Sequence, residues 1–351
     1  MKAKKVLVKG VEAIALGALE ADCKCYFGYP ITPQNEIPEL MARELPKRGG
    51  VFLQAESELA AINMVLGACA TGVRAMTSSS SPGISLMCES FSYIAALELP
   101  AVIVNVMRGG PGLGGIEASQ GDYFQAVKGS GHGDFHFMVL APYNVQEAYE
   151  LTVKAFEFAE KYRNPVMILS DAILGQMKEP LILKKLKIKK YPTDTWALTG
   201  AKGRPSRIIK SLFLDSKELK ERNLKLYKKY QKMKEDVLFE NLVNEEDEIV
   251  VVAFGSMARI AKEACLNLRK KGYKVGFFRP ITLFPFPEKT IQDIIKGAKN
   301  QLKFVVAELN CGQMVEDVKL AVNGKAPVIS LPYPPSVIPF PEELEKDIIN
   351  A

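Results

Sequence analysis

Short, continuous apolar runs alternate along the first half of the chain with longer segments of helical periodicity. Residues 25–27, 51–53, 101–106 and 165–170 form such runs, and 101–106 is rich in β-branched side chains. Continuous apolar strands are typical of parallel sheets, because helices cover both faces of such a sheet. The alternation of strands with helices therefore predicts a parallel α/β domain that ends near Pro180.

The sequence predicts two helix starts near the first apolar runs and one further helix after them. The segment after Ser57 is apolar on all sides of its helix, so we expect that helix to be buried. Ser57 is its predicted N-cap. Pro33 is expected in the first turn of an earlier helix, with Thr32 as its N-cap. A single helix is predicted over residues 84–96.

The pattern changes between residues 184 and about 244, where it is basic and then amphipathic. Within 219–242, apolar side chains recur every three to four positions, which predicts one long helix that crosses between domains. Its predicted packing face consists of Leu224, Tyr227, Tyr230, Met233, Val237 and Leu238. Strands and helices then alternate again and predict a second, smaller α/β domain. The predicted division is 1–183 for the first domain, 184–245 for the linker region and 246–351 for the second domain.

The charge of the chain is moderately positive and unevenly placed. Its 351 residues include 46 basic and 40 acidic side chains, and 48% are hydrophobic, which suffices for more than one core. Much of the basic excess lies in 184–190 and 217–234, without aromatic residues in a stacking pattern. We therefore expect a solvated basic face and no nucleic-acid partner.

The six cysteines are scattered, and two histidines cannot complete a zinc ligand set with them. We therefore predict no metal or iron–sulfur site on this chain. Scattered cysteines suit a reducing compartment, so we expect a cytoplasmic protein. No export signal and no apolar run of transmembrane length is visible, and we expect no membrane partner.

Glu58 is the most unusual residue of the pattern, because it opens a helix that is otherwise apolar. A buried carboxylate is costly unless another group meets it. The free N–H groups of a helix start favour its charged form, and a ligand nitrogen could be a further partner. The alternative is an ordinary helix start, in which Ser57 caps the helix and Glu56 and Glu58 are first-turn acids.

Two further candidates lie where predicted strands end. Thr32 is flanked by prolines, which make the loop after the strand at 25–27 stiff and extended. Open α/β sheets bind ligands at this edge. Arg108 ends the buried strand at 101–106 and needs an anion or a carboxylate as its partner. The glycine-rich loop 109–122 could approach a ligand or act as a mobile lid, and it does not match a dinucleotide fingerprint.

Both histidines, His132 and His136, lie in a glycine-rich segment. Imidazole there could perform acid–base work, and a loop histidine without a role is an equally good interpretation. The sequence leaves the two readings open.

Together, these motifs resemble one chain of the 2-oxoacid:ferredoxin oxidoreductases. The specific part is the run Gly28-Tyr-Pro-Ile-Thr-Pro33 with Glu58 spaced ahead of A-I-N-M-x-x-G-A. Further matches are the serine turn 77–83, Arg108, Gln120-Gly-Asp122, Phe254-Gly-Ser256, Arg279-Pro-Ile-Thr-Leu-Phe-Pro285 and Glu308-Leu-Asn-Cys-Gly-Gln313. Within the family, the chain is most similar to subunits that act on 3-methyl-2-oxobutanoate (2-ketoisovalerate).

The resemblance implies an α/β fold with two parallel-sheet domains. The first would bind the aminopyrimidine ring of thiamine diphosphate, and the second would resemble the transketolase C-terminal domain. Glu58 would bond the pyrimidine N1′ atom, and Thr32 and Arg108 would contact the keto and carboxylate oxygens of the substrate. These three are the implied catalytic residues. The other implied contacts are Tyr29, Pro30, Ile31 and Ser81 for the cofactor, and Ile116 and Glu117 for the substrate.

The resemblance also implies the reaction and the partners. A 2-oxo acid would lose CO2, its acyl group would pass to coenzyme A, and electrons would pass to ferredoxin. The chain has no G-D-G…N diphosphate motif and no cluster cysteines. The family carries these parts on separate subunits, which implies a hetero-oligomer. A diphosphate-binding catalytic subunit would hold Mg²⁺, and γ and ferredoxin-like subunits would complete it, the latter with [4Fe–4S] clusters.

One departure from the family pattern bears on the substrate. Chains that take 2-oxoglutarate or pyruvate often carry Leu-Pro-Thr in the glycine loop, where this chain reads Gly115-Ile116-Glu117. An acid there would repel a second substrate carboxylate, which favours an apolar tail such as that of 2-ketoisovalerate. The alternatives are the same chemistry on 2-oxoglutarate or pyruvate, a lipoamide-linked 2-oxo acid dehydrogenase β chain, and a non-catalytic scaffold subunit.

Overall fold

The computed structural model describes residues 4–335 and 338–351. The strands of these residues are β1 (Lys4–Lys9), β2 (Cys25–Gly28), β3 (Val51–Gln54), β4 (Ala75–Ser79), β5 (Ala101–Met107), β6 (Met138–Leu140), β7 (Val166–Asp171), β8 (Lys178–Leu183), β9 (Phe239–Asn241), β10 (Ile249–Val252), β11 (Val275–Pro280), β12 (Thr282–Phe284), β13 (Lys303–Glu308) and β14 (Val328–Pro332).

The helices of the same residues are α1 (Gly10–Glu20), α2 (Glu36–Glu44), α3 (Glu58–Ala70), α4 (Ser81–Leu86), α5 (Cys88–Ala96), α6 (Tyr123–Val127), α7 (Val145–Tyr162), α8 (Ala172–Gln176), α9 (Ser216–Met233), α10 (Gly255–Lys270), α11 (Glu288–Gly297), α12 (Met314–Val322) and α13 (Pro341–Asn350). None of them is long and apolar enough to cross a membrane, within the part of the chain that the structure describes.

The larger sheet has seven strands in the order β12-β6-β7-β5-β4-β2-β3. All neighbours in it are parallel except β12, which pairs antiparallel with β6 at one edge. Every side chain of β4, β5 and β7 is buried, because helices cover both faces of these central strands. The predicted parallel α/β domain is confirmed, and its antiparallel edge strand was not predicted.

The second sheet has five strands in the order β14-β13-β10-β11-β9, with β9 as its antiparallel edge. A separate two-stranded sheet joins β1 to β8. Two edge strands, β9 and β12, link the two large sheets. The segment before the second domain supplies β9 to the second sheet, and the segment after β11 returns to the first sheet as β12. One apolar cluster accordingly continues from the first sheet into the second.

The linker helix α9 is shorter than predicted and packs on the first domain. Its buried side chains Leu226, Tyr230 and Met233 belong to the apolar cluster of α1 and α7. Leu224 and Tyr227, which were placed on the packing face, are 48% and 60% exposed. The prediction that this helix crosses between domains is therefore wrong, since the crossing follows it at β9.

Three other local predictions are corrected. Thr32 is not an N-cap and Pro33 is not in the first turn, because α2 begins at Glu36 and Asn35 is the residue before it. The helix predicted over 84–96 is two helices, α4 and α5, which Met87 separates. Helix α3 is not buried on all sides, since Leu59 is 46% exposed on its outer face. The apolar pattern of α3 alone cannot distinguish a core from a surface that another subunit covers.

Candidate active site

Glu58 is the first residue of α3, and only 5% of it is exposed. Ser57 is the N-cap, as predicted, because its Oγ accepts a hydrogen bond from the main-chain N of Ala60 at 3.2 Å. The carboxylate of Glu58 accepts a hydrogen bond at Oε1 from Ser79 Oγ, at 3.2 Å. Glu56 is exposed, so Glu58 is the acid that the fold turns inward.

Gly83 in α4 allows the backbone to approach the Glu58 carboxylate. A Cβ atom at position 83 would lie 2.2 Å from Glu58 Oε1 and 2.1 Å from Ser79 Oγ. No side chain fits at such distances without moving the carboxylate or its hydrogen-bond donor. The three residues therefore form one packed unit that joins the start of α3 to the end of β4.

Ser78 and Ser79 at the end of β4 and Ser80 directly after it are buried. Tyr26 Oη and Ser78 Oγ lie 2.6 Å apart, and Ser78 Oγ donates to Gln34 Oε1 at 2.5 Å. Ser80 Oγ is buried and has no hydrogen-bond partner among the residues that the structure describes. Buried hydroxyls normally find a partner, so an unpaired one beside an enclosed carboxylate fits a position where a ligand supplies it.

Arg108 follows β5 and is 7% exposed. Its Nη1 donates to the main-chain oxygen of Thr32 at 2.9 Å, and its Nη2 donates to that of Leu113 at 3.2 Å. Its Nε is buried and finds no acceptor within 4–335 and 338–351. The carboxylate or anion that the sequence led us to expect is thus replaced by two carbonyl oxygens, which leave the charge of the guanidinium uncompensated.

Ser81 and Asp122 hold the main chain of Arg108 in place through hydrogen bonds. The main-chain N of Arg108 donates to Ser81 Oγ at 3.1 Å, and Ser81 Oγ donates to Asp122 Oδ2 at 2.6 Å. Asn105 Nδ2 donates to the same oxygen at 2.9 Å. Burial raises the pKa of Asp122, and the hydrogen bonds from Ser81 and Asn105 oppose that rise. Asp122 anchors the end of the glycine loop to the strand that carries Arg108.

A cavity of about 410 Å³ opens beside Thr32. The glycine loop contributes Ile116 and Glu117 to its wall, so the predicted substrate residues Thr32, Ile116 and Glu117 face one space. Glu36 and Gln176 add polar groups, and Glu36 forms an ion pair with Lys9. The remaining lining residues are mostly apolar: Pro33, Asn35, Ala118, Ala172, Ile173 and Ile338.

The predicted cofactor loop directly follows β2, which ends at Gly28. Gly28 is held against the loop that leads into α3, because the main-chain N of Ala55 donates to Gly28 O at 2.9 Å. Tyr29 and Pro30 after it are exposed, and Ile31 is half-buried. Gln34 reaches back to the main-chain oxygen of Tyr29 at 3.4 Å. The fold thus brings the run at 29–32 to the same sheet edge as Glu58, Ser81 and Arg108.

The two histidines lie elsewhere. The ring of His136 stacks on Phe284 at 4.1 Å between centroids, and burial lowers its pKa. The ring of His132 packs edge-on against Tyr93 at 6.0 Å. Neither histidine lines the cavity beside Thr32, and the ring contacts of both are packing contacts with aromatic side chains.

The second domain contacts the glycine loop through Gln120. Its Nε2 donates to the main-chain oxygen of Phe254 at 2.8 Å, and its Oε1 accepts from the main-chain N of Leu309 at 3.0 Å. Asn310 Nδ2 donates to Gln120 O at 2.9 Å. Sequence reasoning identified these positions as motifs but gave them no role. The sequence did contain a signal for this contact, because the residues that meet here belong to motifs of both domains.

Comparison with known families gives two matches along the chain. Residues 16–237 match the family described as pyruvate flavodoxin/ferredoxin oxidoreductase, thiamine diphosphate-binding. Residues 247–333 match the pyruvate:ferredoxin oxidoreductase core domain II. The chain belongs to the 2-oxoacid:ferredoxin oxidoreductase family. It is therefore an oxidoreductase subunit with a thiamine diphosphate-binding domain, as the sequence motifs led us to expect.

Two relatives within the family carry different substrate names. The ketoisovalerate oxidoreductase subunit VorB of Methanothermobacter thermautotrophicus is 50% identical over 316 residues, which cover 90% of this chain and 89% of the relative. The 2-oxoglutarate synthase subunit KorA of Methanocaldococcus jannaschii is 38% identical over 379 residues, which cover 99% of this chain and 100% of the relative. Both are subunits by name, and members of this kind form multi-subunit enzymes.

Solved structures agree with the family. The 2-oxoglutarate:ferredoxin oxidoreductase of Magnetococcus marinus, solved with 2-oxoglutarate, coenzyme A and succinyl-CoA, superimposes with a TM-score of 0.87 at 27% identity. The match covers 99% of this chain and 65% of that longer chain. A split-gene transketolase, described as an inactive β4 tetramer, shares the fold at a TM-score of 0.58 and 14% identity. The predicted transketolase-like α/β fold is confirmed.

Proposed function

We propose that this chain is the pyrimidine-binding subunit of an oxidoreductase that converts 2-ketoisovalerate and related branched-chain 2-oxo acids. The reaction consumes coenzyme A, releases CO2 and passes two electrons to ferredoxin. The single observation that carries the substrate proposal is the makeup of the cavity beside Thr32. Its wall combines the acid Glu117 with the apolar side chains of Ile116, Ile173 and Ile338.

The residues around Glu58 fit the aminopyrimidine ring of thiamine diphosphate. A buried carboxylate with one hydrogen bond from Ser79 still has acceptor capacity for a ring nitrogen. The nearby hydroxyl of Ser80 lacks a partner, as expected where a polar ligand group completes the set. Tyr29, Pro30, Ile31 and Ser81 would form the remaining walls, since they share this sheet edge.

Thiamine diphosphate supplies, when bound, a thiazolium carbon that becomes a nucleophile on loss of its proton. Glu58 would hold a proton between its carboxylate and the pyrimidine N1′ atom, and that placement favours the tautomer whose exocyclic nitrogen is basic. Exclusion of water strengthens this hydrogen bond, because Glu58 is 5% exposed in a low-dielectric environment. A glutamine at position 58 keeps the size but cannot share a proton in this way.

Arg108 and Thr32 would orient the 2-oxo acid. The guanidinium keeps an unpaired Nε and an uncompensated charge, and a planar cation is well matched to a carboxylate. Its hydrogen bonds to the Thr32 and Leu113 carbonyls fix its plane before any substrate arrives. The Thr32 side chain lines the adjoining cavity, where the keto end of the substrate would lie beside it.

The tail of the substrate would extend toward Ile116 and Ile173. Burying one methyl or methylene group there is favourable by about 0.8 kcal/mol, which favours a branched aliphatic tail. The γ-carboxylate of 2-oxoglutarate would instead meet the carboxylate of Glu117, which repels it. The KorA relative, at 38% identity, keeps 2-oxoglutarate as the competing candidate.

The remaining parts would come from partner subunits. We propose a diphosphate-binding catalytic subunit that holds Mg²⁺, a γ subunit, and a ferredoxin-like subunit with [4Fe–4S] clusters. We also propose the division of this chain into 1–183, 184–245 and 246–351, with β9 as a segment of the linker that completes the second sheet. The six free cysteines fit work in the reducing cytoplasm.

The proposal is tested with the native complex that contains this chain. Viologen reduction is followed with coenzyme A and a panel of 2-oxo acids at matched concentrations. We expect kcat/KM to be highest for 2-ketoisovalerate and its branched relatives. Preference for 2-oxoglutarate or pyruvate would keep the family and overturn the argument from Glu117. Reduction with none of the acids would overturn the proposed function itself.

A further inference from the structure

A second cavity, of about 380 Å³, lies far from the candidate active site. It lies between the linker and the end of α5, next to Leu97 and Glu98. Glu98 precedes β5, whereas Arg108 follows it. The seven residues of β5 extend for roughly 23 Å at about 3.3 Å each. We call this space the linker cavity, and it cannot share a small ligand with the cavity beside Thr32.

The linker cavity is strongly basic. Its charged lining consists of one carboxylate, Glu98, and five cations: Arg163, Arg207, Lys210, Arg222 and Lys225. Glu98 accepts hydrogen bonds from Arg222 and, at 2.7 Å, from Lys225. Lys229 stands behind them with its Nζ 3.7 Å from Glu98 Oε1. One carboxylate therefore serves three cations. Lys210 pairs with Glu218 at 2.7 Å, and Arg207 Nη1 donates to the main-chain oxygen of Ala197 at 2.6 Å, so the cations still outnumber the acids around the cavity.

The cations of this cluster repel one another, whereas Glu98 attracts them. Burial lowers the pKa of Lys229, although Glu98 attracts the ammonium group and opposes this change. Repulsion from Arg222, Lys225 and Arg163 also lowers the pKa, which falls to about 7. Burial and Arg222 likewise lower the pKa of Arg163. The Nε of Arg222 is buried and donates to no acceptor in the described part of the chain. A cluster with repelling cations and an unused donor lacks negative charge, and a bound anion would supply it.

The shape of the wall favours a phosphoryl group with an attached planar or apolar body. The Arg163 guanidinium lies over Trp196 at 4.5 Å from the ring centroid, and the Lys210 ammonium lies over Phe213 at 4.8 Å. Guanidinium groups bind phosphate oxygens in pairs, and aromatic rings accept a flat ligand. The volume is within the range of small-molecule sites.

We propose that the linker cavity binds a phosphate-bearing anion, either a nucleotide or a free phosphate or diphosphate, and that the anion fixes the linker to the first domain. The linker supplies Arg207, Lys210, Arg222 and Lys225, whereas Glu98 and Arg163 belong to the first domain. An anion held by both sides would neutralise the repulsion between them. Binding therefore stabilises the linker on the domain in proportion to ligand concentration.

The test uses the native complex saturated with thiamine diphosphate and coenzyme A, so that those sites are occupied. Binding of ADP, diphosphate and inorganic phosphate is measured by calorimetry and by the thermal midpoint. We expect saturable binding that Arg222→Gln weakens by at least about tenfold, or ~1.4 kcal/mol. Lys210→Gln is the second variant, because it leaves the partners of Glu98 in place. Lys202→Gln, an exposed linker lysine outside the cavity, is the matched control.

Each outcome decides the matter. Binding of ADP alone identifies a nucleotide, binding of ADP and diphosphate but not phosphate identifies the diphosphate group, and equal binding of all three identifies the phosphoryl group alone. No binding, or binding that neither Arg222→Gln nor Lys210→Gln changes, overturns the proposal. So does capture of an acidic peptide with the same variant dependence and no phosphate binding, since the face would then be a protein interface. The activity on 2-oxo acids reports separately on the proposed function.

Discussion

Arg108 and Thr32 meet directly, because the Nη1 of Arg108 donates to the main-chain oxygen of Thr32 at 2.9 Å. The two residues are 76 positions apart in the chain. With the second hydrogen bond to Leu113, one cation holds both the proline-flanked loop and the glycine loop. The position of the proposed substrate carboxylate is thus tied to both loops at once.

Arg108→Lys is expected to impair substrate binding severely. Lysine keeps the charge but offers a single ammonium, which cannot hold both carbonyls and pair with a carboxylate in one plane. We expect kcat/KM for the preferred 2-oxo acid to fall by about 100-fold, or roughly 3 kcal/mol, mainly through KM. Arg43→Lys is the control, since the Arg43 side chain is 65% exposed and pairs only with its neighbour Glu44. An unchanged KM in Arg108→Lys would remove the substrate role.

Glu58→Gln is expected to abolish most of the activity of the complex without unfolding it. The amide preserves the packing beside Gly83 but cannot share a proton with the pyrimidine ring. Loss of such a proton contact lowers kcat by about 10²–10⁴-fold. Glu56→Gln is the matched control two residues earlier, because that side chain is exposed. Full activity in Glu58→Gln would favour the scaffold reading, in which this subunit has no catalytic site.

Gly83→Ala tests the close approach of α4 to the carboxylate. The added Cβ would lie 2.2 Å from Glu58 Oε1, so the carboxylate or the helix must move. We expect a loss of about 1–3 kcal/mol in stability and weaker binding of thiamine diphosphate. Calorimetric unfolding and cofactor titration of the complex measure the two effects.

Gly297→Ala is the control for that substitution, since a Cβ there meets nothing within 4 Å. It is expected to leave both the thermal midpoint and the cofactor affinity within error. Equal behaviour of the two variants would mean that the space around Glu58 adapts freely.

Much of the fold could be predicted from the sequence, because its central strands are uniformly apolar. The pattern indicated β5 and β7, and the helix start at Ser57 followed from an ordinary cap signal. The edge strands β9 and β12 could not be predicted, because a three-residue strand has too short a pattern to distinguish from a loop. The linker helix shows the same limit, since its periodicity did not reveal which side would be covered.

The residues of the candidate site also fall into two groups, those that the sequence indicated and those whose role only the structure revealed. Glu58 and Arg108 stood out because charged residues interrupted apolar segments. Asp122 and Ser79 lay in motif matches but received no role, because a polar residue in a loop or a serine run has many ordinary explanations. Their roles arise from contacts across 41 and 21 positions of the chain, with Ser81 and Glu58 respectively. Only the folded chain brings such pairs together.

Glu98 is expected to make the complex more stable above pH 4.5 than in acid. Burial alone would raise its pKa, but Lys229, Lys225 and Arg222 lower it from the usual 4.5 to about 2. Because the folded-state pKa is the lower one, the stabilisation is complete above about pH 4.5. It is lost as the pH falls through the folded value. Discounted for partial solvation, the contribution is about 2 kcal/mol.

Thermal midpoints of the complex between pH 2.5 and 7 measure this effect. Glu98→Gln is expected to lower the midpoint at pH 7 and to approach the wild type as the pH falls. Glu246→Gln removes an exposed partner of Lys299 and is expected to change little at any pH. A difference between Glu98→Gln and the wild type that is constant with pH would contradict the assigned pKa.

Glu117→Thr is expected to change which 2-oxo acid the complex prefers. The carboxylate of Glu117 faces the same cavity as Thr32 and Ile116, where it opposes a second substrate carboxylate. Its replacement removes that repulsion, so kcat/KM for 2-oxoglutarate relative to 2-ketoisovalerate should rise by about tenfold, or ~1.4 kcal/mol. Glu39→Thr, an exposed acid of α2 that does not line the cavity, should leave the ratio unchanged. If Glu117→Thr leaves it unchanged as well, the apolar wall and not the acid sets the preference, and Ile173→Ala becomes the decisive variant.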